Sequence, residues 1–200
     1  MANQGPNIRG EETRRKLLDS GMREFHSVGF WGTGVDAIAR RAKVPKGSFY
    51  NHYESKRSFT VEVVDYYFDR HLAKLREFLE NDEMGGLDRL GAYFNERIEF
   101  FRGVDAKRGC LMGNLSLEIA DQEEAVRQRL AVHFDTWSNM FAACIEEAQE
   151  SGAMRNGADA KALGNFVLNS WEGAILRMKA CGNVKPLEEA RKMIFEVVLT

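Results

Sequence analysis

Apolar residues recur every three or four positions along most of the chain, which is the pattern of amphipathic helices. The pattern predicts nine helices, at about 11–27, 35–42, 45–53, 55–80, 87–101, 110–120, 123–150, 159–180 and 186–197. No alternating apolar stretch bounded by hairpin turns indicates a strand. We therefore predict an all-α fold.

The ends of two helices carry recognisable signals. Gly29 is expected to end the first helix, since glycine commonly follows a helix C-terminus. Phe30 and Trp31 come next and are expected to be core residues. Ser55 is the predicted N-cap of the fourth helix, but Ser58 stands where a capping box carries Glu. We therefore expect that box to be incomplete.

Residues 33–56, TGVDAIARRAKVPKGSFYNHYESK, predict two short helices joined by a tight turn. The second helix buries Phe49 and Tyr53 on one side. Its other side presents hydrogen-bonding groups, with a glycine where a backbone must come close: Lys46, Gly47, Ser48, Tyr50, Asn51 and His52. This arrangement is typical of a helix-turn-helix, whose second helix enters the DNA major groove.

The ordered series Thr33, Ile38-Ala39, Ala42-Lys43-Val44 and KGSFYNHYESK (46–56) resembles the TetR family of bacterial transcriptional regulators. Lys43 stands where that family usually has glycine. If the corner stays left-handed, a lysine there costs on the order of 1 kcal/mol.

The resemblance implies a two-domain architecture of nine helices. A helix-turn-helix DNA-binding domain over 1–55 precedes a helical ligand-binding and dimerisation domain over 56–200, and the helix from 55 to about 80 connects them. The residues implied in DNA binding are Thr33, Lys46, Gly47, Ser48, Tyr50, Asn51, His52 and Lys56.

The distribution of charge agrees with a DNA-binding segment although the formal net charge is −2 at pH 7. Residues 1–57 hold 11 Lys and Arg against 6 Asp and Glu, whereas the remainder holds 17 against 24. A basic N-terminal quarter on an acidic body is the electrostatic footprint of a DNA-binding headpiece.

Several features bear on location and on bound groups. The chain contains no run of 18 uncharged apolar residues, and 1–10 lacks the apolar centre of a signal peptide. Cys110, Cys144 and Cys181 do not have metal-ligand spacing. We expect a protein of the reduced cytoplasm with no membrane partner, no metal and no cofactor.

The resemblance also implies a homodimer, formed by the last two helices, and a pocket for a small-molecule effector. Candidate pocket residues are Cys110, Asn114, Trp137, Phe141 and Trp171. Gly164 and Gly173 lie inside the eighth helix, and either a closely approaching partner helix or drift explains them. The places of Glu172 and Arg177 stay open between pocket, surface and dimer contact.

Cys110 follows Lys107 and Arg108 at the start of the sixth helix, where positive charge favours the thiolate. The opening Gly109-Cys110-Leu111 also resembles a TetR branch that includes sensors of reactive electrophiles. The alternative is a buried packing residue, which is the expected role of Cys144.

The leading interpretation is a dimeric transcriptional regulator, most simply a repressor, released from a palindromic DNA operator by a small molecule or electrophile. The alternative is a cysteine-dependent enzyme that acts on electrophiles. Against the enzyme, no histidine or acid lies near Cys110 in sequence, and the four histidines form no recognisable dyad. A plain interaction protein would leave the polar face over 46–52 unexplained.

Overall fold

The computed structural model describes residues 6–200, with side chains described from Arg9 onward. The helices are α1 (Pro6–Gly32), α2 (Val35–Ala42), α3 (Lys46–Tyr50), α4 (Lys56–Leu79), α5 (Gly86–Gly103), α6 (Leu111–Ile119), α7 (Glu124–Glu150), α8 (Ala160–Cys181) and α9 (Lys185–Met193), followed by a π-helical turn over Ile194–Val198. No strand occurs within the described residues. The all-α prediction is confirmed, although α1 begins at Pro6 and not near Glu11.

Contacts divide the chain into two compact units. The first contains the residues up to Asp69 together with Leu111–Leu130, and the second contains Arg70–Cys110 and Ala131–Thr200. The divisions fall inside α4 and α7. The domain limits expected from the sequence, 1–55 and 56–200, therefore stay a prediction.

Aromatic rings from α1, α4 and the α3 region form the core of the first unit. Phe59 is fully buried, and its ring centroid lies 5.0 Å from that of Phe49 and 4.7 Å from that of Tyr53. Phe25 approaches the same ring edge-on at 6.2 Å. A helix as short as α3 is unstable alone, so these contacts hold it in place.

The end of α1 agrees with the prediction at Gly29 and differs from it at Trp31. Gly29 interrupts the helix with φ 76° and ψ 176°, and a short helical turn resumes after it through Gly32. Trp31 is 57% exposed, whereas Phe30 is buried as predicted. The Trp31 indole N–H donates to the Glu118 carbonyl at 3.3 Å, which holds the ring at the surface.

The start of α4 also corrects an expectation. The backbone N–H of Ser58 donates to Ser55 Oγ at 3.1 Å, and the Ser55 N–H donates to Ser58 Oγ at 3.2 Å. The reciprocal pattern of a capping box is therefore complete, with a serine hydroxyl in the place of a carboxylate.

Two glycines in the second unit mark close approaches between helices. A Cβ at Gly86 would overlap the Cys144 carbonyl oxygen of α7, and one at Gly164 would lie 2.6 Å from the Ser138 carbonyl oxygen. Packing within the chain thus accounts for Gly164. Gly173 is exposed, and a Cβ there would meet no heavy atom within 4 Å.

Candidate DNA-binding surface and buried cysteine site

The corner between α2 and α3 has the left-handed conformation expected for it. Lys43 has φ 57° and ψ 41°, and its N–H donates to the Arg40 carbonyl at 3.1 Å. Ile38, Ala39 and Ala42 bury the inner face of α2. The corner directs the chain through Pro45 into α3, whose first residue is Lys46.

The outer side of α3 and the following turn carries the polar residues predicted from the sequence. Lys46, Gly47, Tyr50 and Asn51 are exposed, while Ser48 and His52 are half-buried. Lys46 Nζ lies 3.0 Å from the Asp36 carboxylate, and that hydrogen bond raises the lysine pKa above its usual value. A Cβ at Gly47 would meet nothing within 4 Å, so the space beside its backbone is open.

Thr33 and Lys56 lie in a different setting from the other predicted DNA-binding residues. Thr33 is 1% exposed, and its hydroxyl donates to the Gly29 carbonyl at 2.6 Å. Lys56 Nζ donates to the carbonyls of Phe30 at 2.8 Å and of Thr33 at 2.9 Å, and it lies 4.0 Å from the Phe30 ring centroid. Burial lowers the pKa of this lysine. Two of its three N–H donors therefore tie α4 to the segment before α2.

Glu118, on α6, holds the kink in α1. Its Oε2 accepts the Phe30 backbone N–H at 2.6 Å, directly after Gly29. A carboxylate that accepts a backbone N–H at the start of a helical turn is favourable, as at an ordinary helix N-terminus. The sequence alone did not indicate this contact, because the two residues are 88 positions apart.

Two further cations border the helix-turn-helix. Arg40 and Lys43 are exposed at the end of α2, and neither forms an ion pair within the described part of the chain. Sequence reasoning did not include these two residues among the DNA contacts. Their position at the corner between the two helices of the helix-turn-helix could have indicated such a contact.

The predicted aromatic pocket residues are gathered in the interior of the second unit. Trp137, Phe141 and Trp171 are all buried. The ring centroids of Trp137 and Phe141 lie 6.2 Å apart. The Phe94 ring lies between Phe141 and Trp171, with its centroid 5.3 Å from that of Phe141 and 4.6 Å from that of Trp171. Asn114 belongs to the first unit, where it is half-buried on α6.

A polar pair not expected from the sequence accompanies these rings. The Tyr93 hydroxyl and His71 Nε2 lie 3.2 Å apart, and the His71 ring is 4.2 Å from that of Trp137. Burial, and then the charge of Arg97, lower the pKa of His71 to about 3, so its ring is neutral at neutral pH. Burial raises the pKa of Tyr93 well above its usual value.

Burial raises the pKa of Glu172, the residue whose place the sequence left open, to about 7, and hydrogen bonding with Cys110 partly offsets that rise. Cys110 is 4% exposed. Among the described residues, Glu172 Oε1 has no hydrogen-bond partner, and the same holds for the indole N–H groups of Trp137 and Trp171. Buried polar atoms without partners are costly and rare, which makes this interior a site with unused hydrogen-bonding capacity.

The other two cysteines differ from Cys110. Cys144 is buried with Sγ 3.6 Å from the Leu79 carbonyl, and burial raises its pKa to about 11. Cys181 is exposed. In the part of the chain that the structure describes, no cluster of His, Cys, Asp and Glu is arranged to hold a metal. No helix over this range is both long and apolar enough to cross a membrane.

Two family models match the chain. The model described as "Bacterial regulatory proteins, tetR family" matches residues 17–63. The model described as "Tetracyclin repressor-like, C-terminal domain" matches residues 86–194, which is more than half of the chain. The first match contains the helix-turn-helix, and the second contains the Cys110 site.

Relatives and solved structures agree with both models. The HTH-type transcriptional repressor DhaR of Mycobacterium sp. (strain GP1) is 38% identical over 186 residues, which cover 93% of this chain and 92% of the relative. The crystal structure of a regulatory protein TetR from Rhodobacter sphaeroides aligns with a TM-score of 0.85 and 29% identity, over 91% of this chain and 96% of that chain. The crystal structure of the reduced form of Escherichia coli NemR aligns with a TM-score of 0.83 and 26% identity, over 92% of this chain and 97% of that chain.

The family and these relatives are transcriptional regulators and not enzymes, which decides against the cysteine-dependent enzyme. TetR-family regulators bind operator DNA, act as homodimers and respond to small-molecule effectors. The helix-turn-helix geometry, both family models and the relatives lead to one conclusion: the chain belongs to the TetR family and is a DNA-binding transcriptional regulator.

Proposed function

We propose that this regulator is a cytoplasmic repressor whose homodimer binds a palindromic operator and is released when a small molecule or electrophile acts at Cys110. The buried Cys110, in the same unit as the unpartnered polar atoms of Trp137, Trp171 and Glu172, carries this proposal. The DhaR relative is named a transcriptional repressor, which supports repression over activation.

In the proposed complex α3 enters the major groove. Asn51 is the candidate for reading a base, since its amide can bond bidentately to adenine. Gly47 lets the backbone come close to DNA, because the space beside it is open. Lys46, Tyr50 and Lys56 are candidates for phosphate contact, to which the exposed Arg40 and Lys43 are added.

The proposed dimer contact lies on α8, α9 and the π-helical turn that follows α9. Phe166, Leu176, Met193 and Val197 are apolar and each more than half exposed. Phe166, Gly173 and Leu176 share one face of α8 by their spacing. The open space at Gly173 suits a second helix that approaches closely.

We expect Leu176→Arg to convert the dimer into a monomer, because it would bury an unpaired charge in the contact. Light scattering at micromolar protein concentration measures the molar mass and so distinguishes dimer from monomer. The matched control is Val132→Arg, on α7, where an equally exposed apolar residue is replaced outside the proposed contact. A dimer that survives Leu176→Arg, or that Val132→Arg breaks, would place the interface elsewhere.

The sensing role of Cys110 is tested in a Cys181→Ser background, which removes the exposed thiol. A genome-wide pull-down of bound DNA first supplies the operator. We then expect N-ethylmaleimide to label Cys110 before Cys144, and the labelled protein to lose the operator in a fluorescence anisotropy titration. Cys110→Ser should keep the operator under the same treatment. If Cys110→Ser responds as the parent does, Cys110 is a packing residue and the proposed sensing role is wrong.

A further inference from the structure

We propose that the groove between α5 and α9 is a second ligand site, which binds a compact organic monocarboxylate with an apolar body through the guanidinium of Arg191. The groove lies wholly within the second unit, and none of the residues that line it belongs to the buried cysteine site. The inference therefore does not depend on the proposed sensing role of Cys110.

A cavity of about 260 Å³ lies in this groove. Its lining combines an amide, an apolar side chain and two charges of each sign: Asn95, Ile98, Glu99 and Arg102 from α5, and Glu188 and Arg191 from α9. Pockets for small molecules begin at about 300 Å³, so the volume suits only a compact ligand.

The two carboxylates in the lining are both bound by Arg102. Its Nη1 donates to Glu99 on the same helix, and its Nη2 donates to Glu188 across the groove at 2.6 Å. Glu188 lies three positions before Arg191 on α9, which is a spacing that allows an ion pair. Within the described residues Glu188 pairs with Arg102 instead, so Arg191 is left without a carboxylate.

Arg191 is therefore the cation in this cavity that lacks a counter-charge. It is half-buried, and its Nε has no hydrogen-bond partner among the described residues. Its guanidinium carbon lies 5.1 Å from the centroid of the Phe195 ring, and its Nη2 would lie 3.8 Å from a Cβ at Gly91. Buried polar atoms are nearly always hydrogen-bonded, so an arginine held in this way has capacity for an external acceptor.

A carboxylate has the shape and charge that this setting requires. Its two oxygens can accept two N–H groups of the planar guanidinium, and the amide of Asn95 can donate a further hydrogen bond. The two glutamates in the lining would repel a dianion about twice as strongly as a monoanion, which disfavours a phosphate ester. Ile98, which is 5% exposed, offers an apolar surface to the body of the ligand.

The groove is compatible with the proposed dimer contact. Arg191 and Met193 are two positions apart on α9, which is about 200° around a helix, so their side chains leave nearly opposite sides of it. A partner that covers Met193 therefore leaves the side of α9 that carries Arg191 free for a ligand.

The test uses benzoate as the probe and isothermal titration calorimetry of the full-length protein. We expect a dissociation constant of about 1 mM, which is reasonable for a ligand of this size. Benzamide keeps the shape of benzoate without the charge, and we expect it to bind at least about tenfold more weakly. Phenyl phosphate, a dianion at neutral pH, should also bind more weakly than benzoate.

Substitutions on α9 test the named residue. Arg191→Gln should weaken benzoate binding about tenfold or more, the scale of hydrogen bonds with charged groups. Lys192→Gln is the matched control, since it removes an exposed positive charge from the next position and should leave binding unchanged. Thermal melting shows whether each variant is folded.

Glu188→Gln gives an effect of the opposite sign. It removes a negative charge from the cavity while Arg102 keeps its bond to Glu99, so benzoate should bind about threefold more tightly. A substitution that merely loosened the fold would not increase affinity. This result therefore separates a ligand site from a structural role of the charged cluster.

Three results would overturn the proposal. The first is equal binding of benzoate to the parent and to folded Arg191→Gln, since the ligand would then bind elsewhere. The second is equal binding of benzamide and benzoate, and the third is no binding by the parent well above the expected dissociation constant. Cys110→Ser should bind benzoate as the parent does, and loss of binding there would move the ligand to the buried cysteine site.

Discussion

Replacing Gly29 by alanine is expected to lower the free energy of unfolding by about 3 kcal/mol and to abolish operator binding. Gly29 has φ 76° and ψ 176°, a backbone conformation that residues with a Cβ hardly adopt. The added Cβ would also lie 2.6 Å from Glu118 Oε1, the carboxylate that holds the Phe30 N–H. Conformational strain and displacement of Glu118 act together at this position.

Urea denaturation followed by circular dichroism measures the loss. Gly34→Ala is the matched control, because Gly34 has φ −94° and ψ 153° and a Cβ there would meet nothing within 4 Å. Its expected cost is below about 1 kcal/mol, that of an N-cap change. Equal denaturation midpoints for the two variants would show that the kink at Gly29 imposes no strain.

Lys56→Ala is expected to reduce affinity for every DNA sequence and also to destabilise the first unit by about 2 kcal/mol, the scale of hydrogen bonds from a charged donor. The sequence predicts only the first effect, through loss of a phosphate contact. The second follows because Lys56 Nζ donates to the carbonyls of Phe30 and Thr33. Binding is measured by anisotropy over a series of salt concentrations, and stability by urea denaturation.

Lys43→Gln and Asn51→Ala are the controls that separate phosphate contact, base reading and structural support. Lys43 is exposed, so removal of its charge should lower the slope of log affinity against log salt concentration by about one and leave stability unchanged. Asn51→Ala should reduce discrimination between the operator and a mismatched site by roughly 1–3 kcal/mol. If Asn51→Ala keeps specificity while Lys56→Ala changes it, the two roles are reversed.

The helix-turn-helix shows what local sequence can predict well. Its signals lie within one short stretch: apolar spacing in α2, Pro45 before α3, and exposed polar groups from Lys46 onward. Such features act between neighbours in the chain, so their spacing alone indicates the structure. The same reasoning was wrong for Trp31, because a partner on another helix keeps that side chain at the surface.

The buried cysteine site shows the opposite case. Sequence reasoning named Cys110 and the aromatic residues Trp137, Phe141 and Trp171, which are all buried in the second unit. It did not place Glu172, because a charged residue in an apolar helix is compatible with pocket, surface or dimer contact. Only the packed helices bring that carboxylate to the Cys110 thiol.

By itself, the sequence determined the all-helical fold, the helix-turn-helix and the identity of its exposed polar residues, because the period of apolar positions and the turn residues are local properties. The tertiary structure alone decided that Lys56 holds the carbonyls before α2, that Glu118 holds the kink at Gly29, and that Glu172 meets Cys110. Each of these contacts joins residues far apart in the chain. Which distant side chains come into contact depends on how the helices pack, and the periodicity of residues along the chain does not specify that packing.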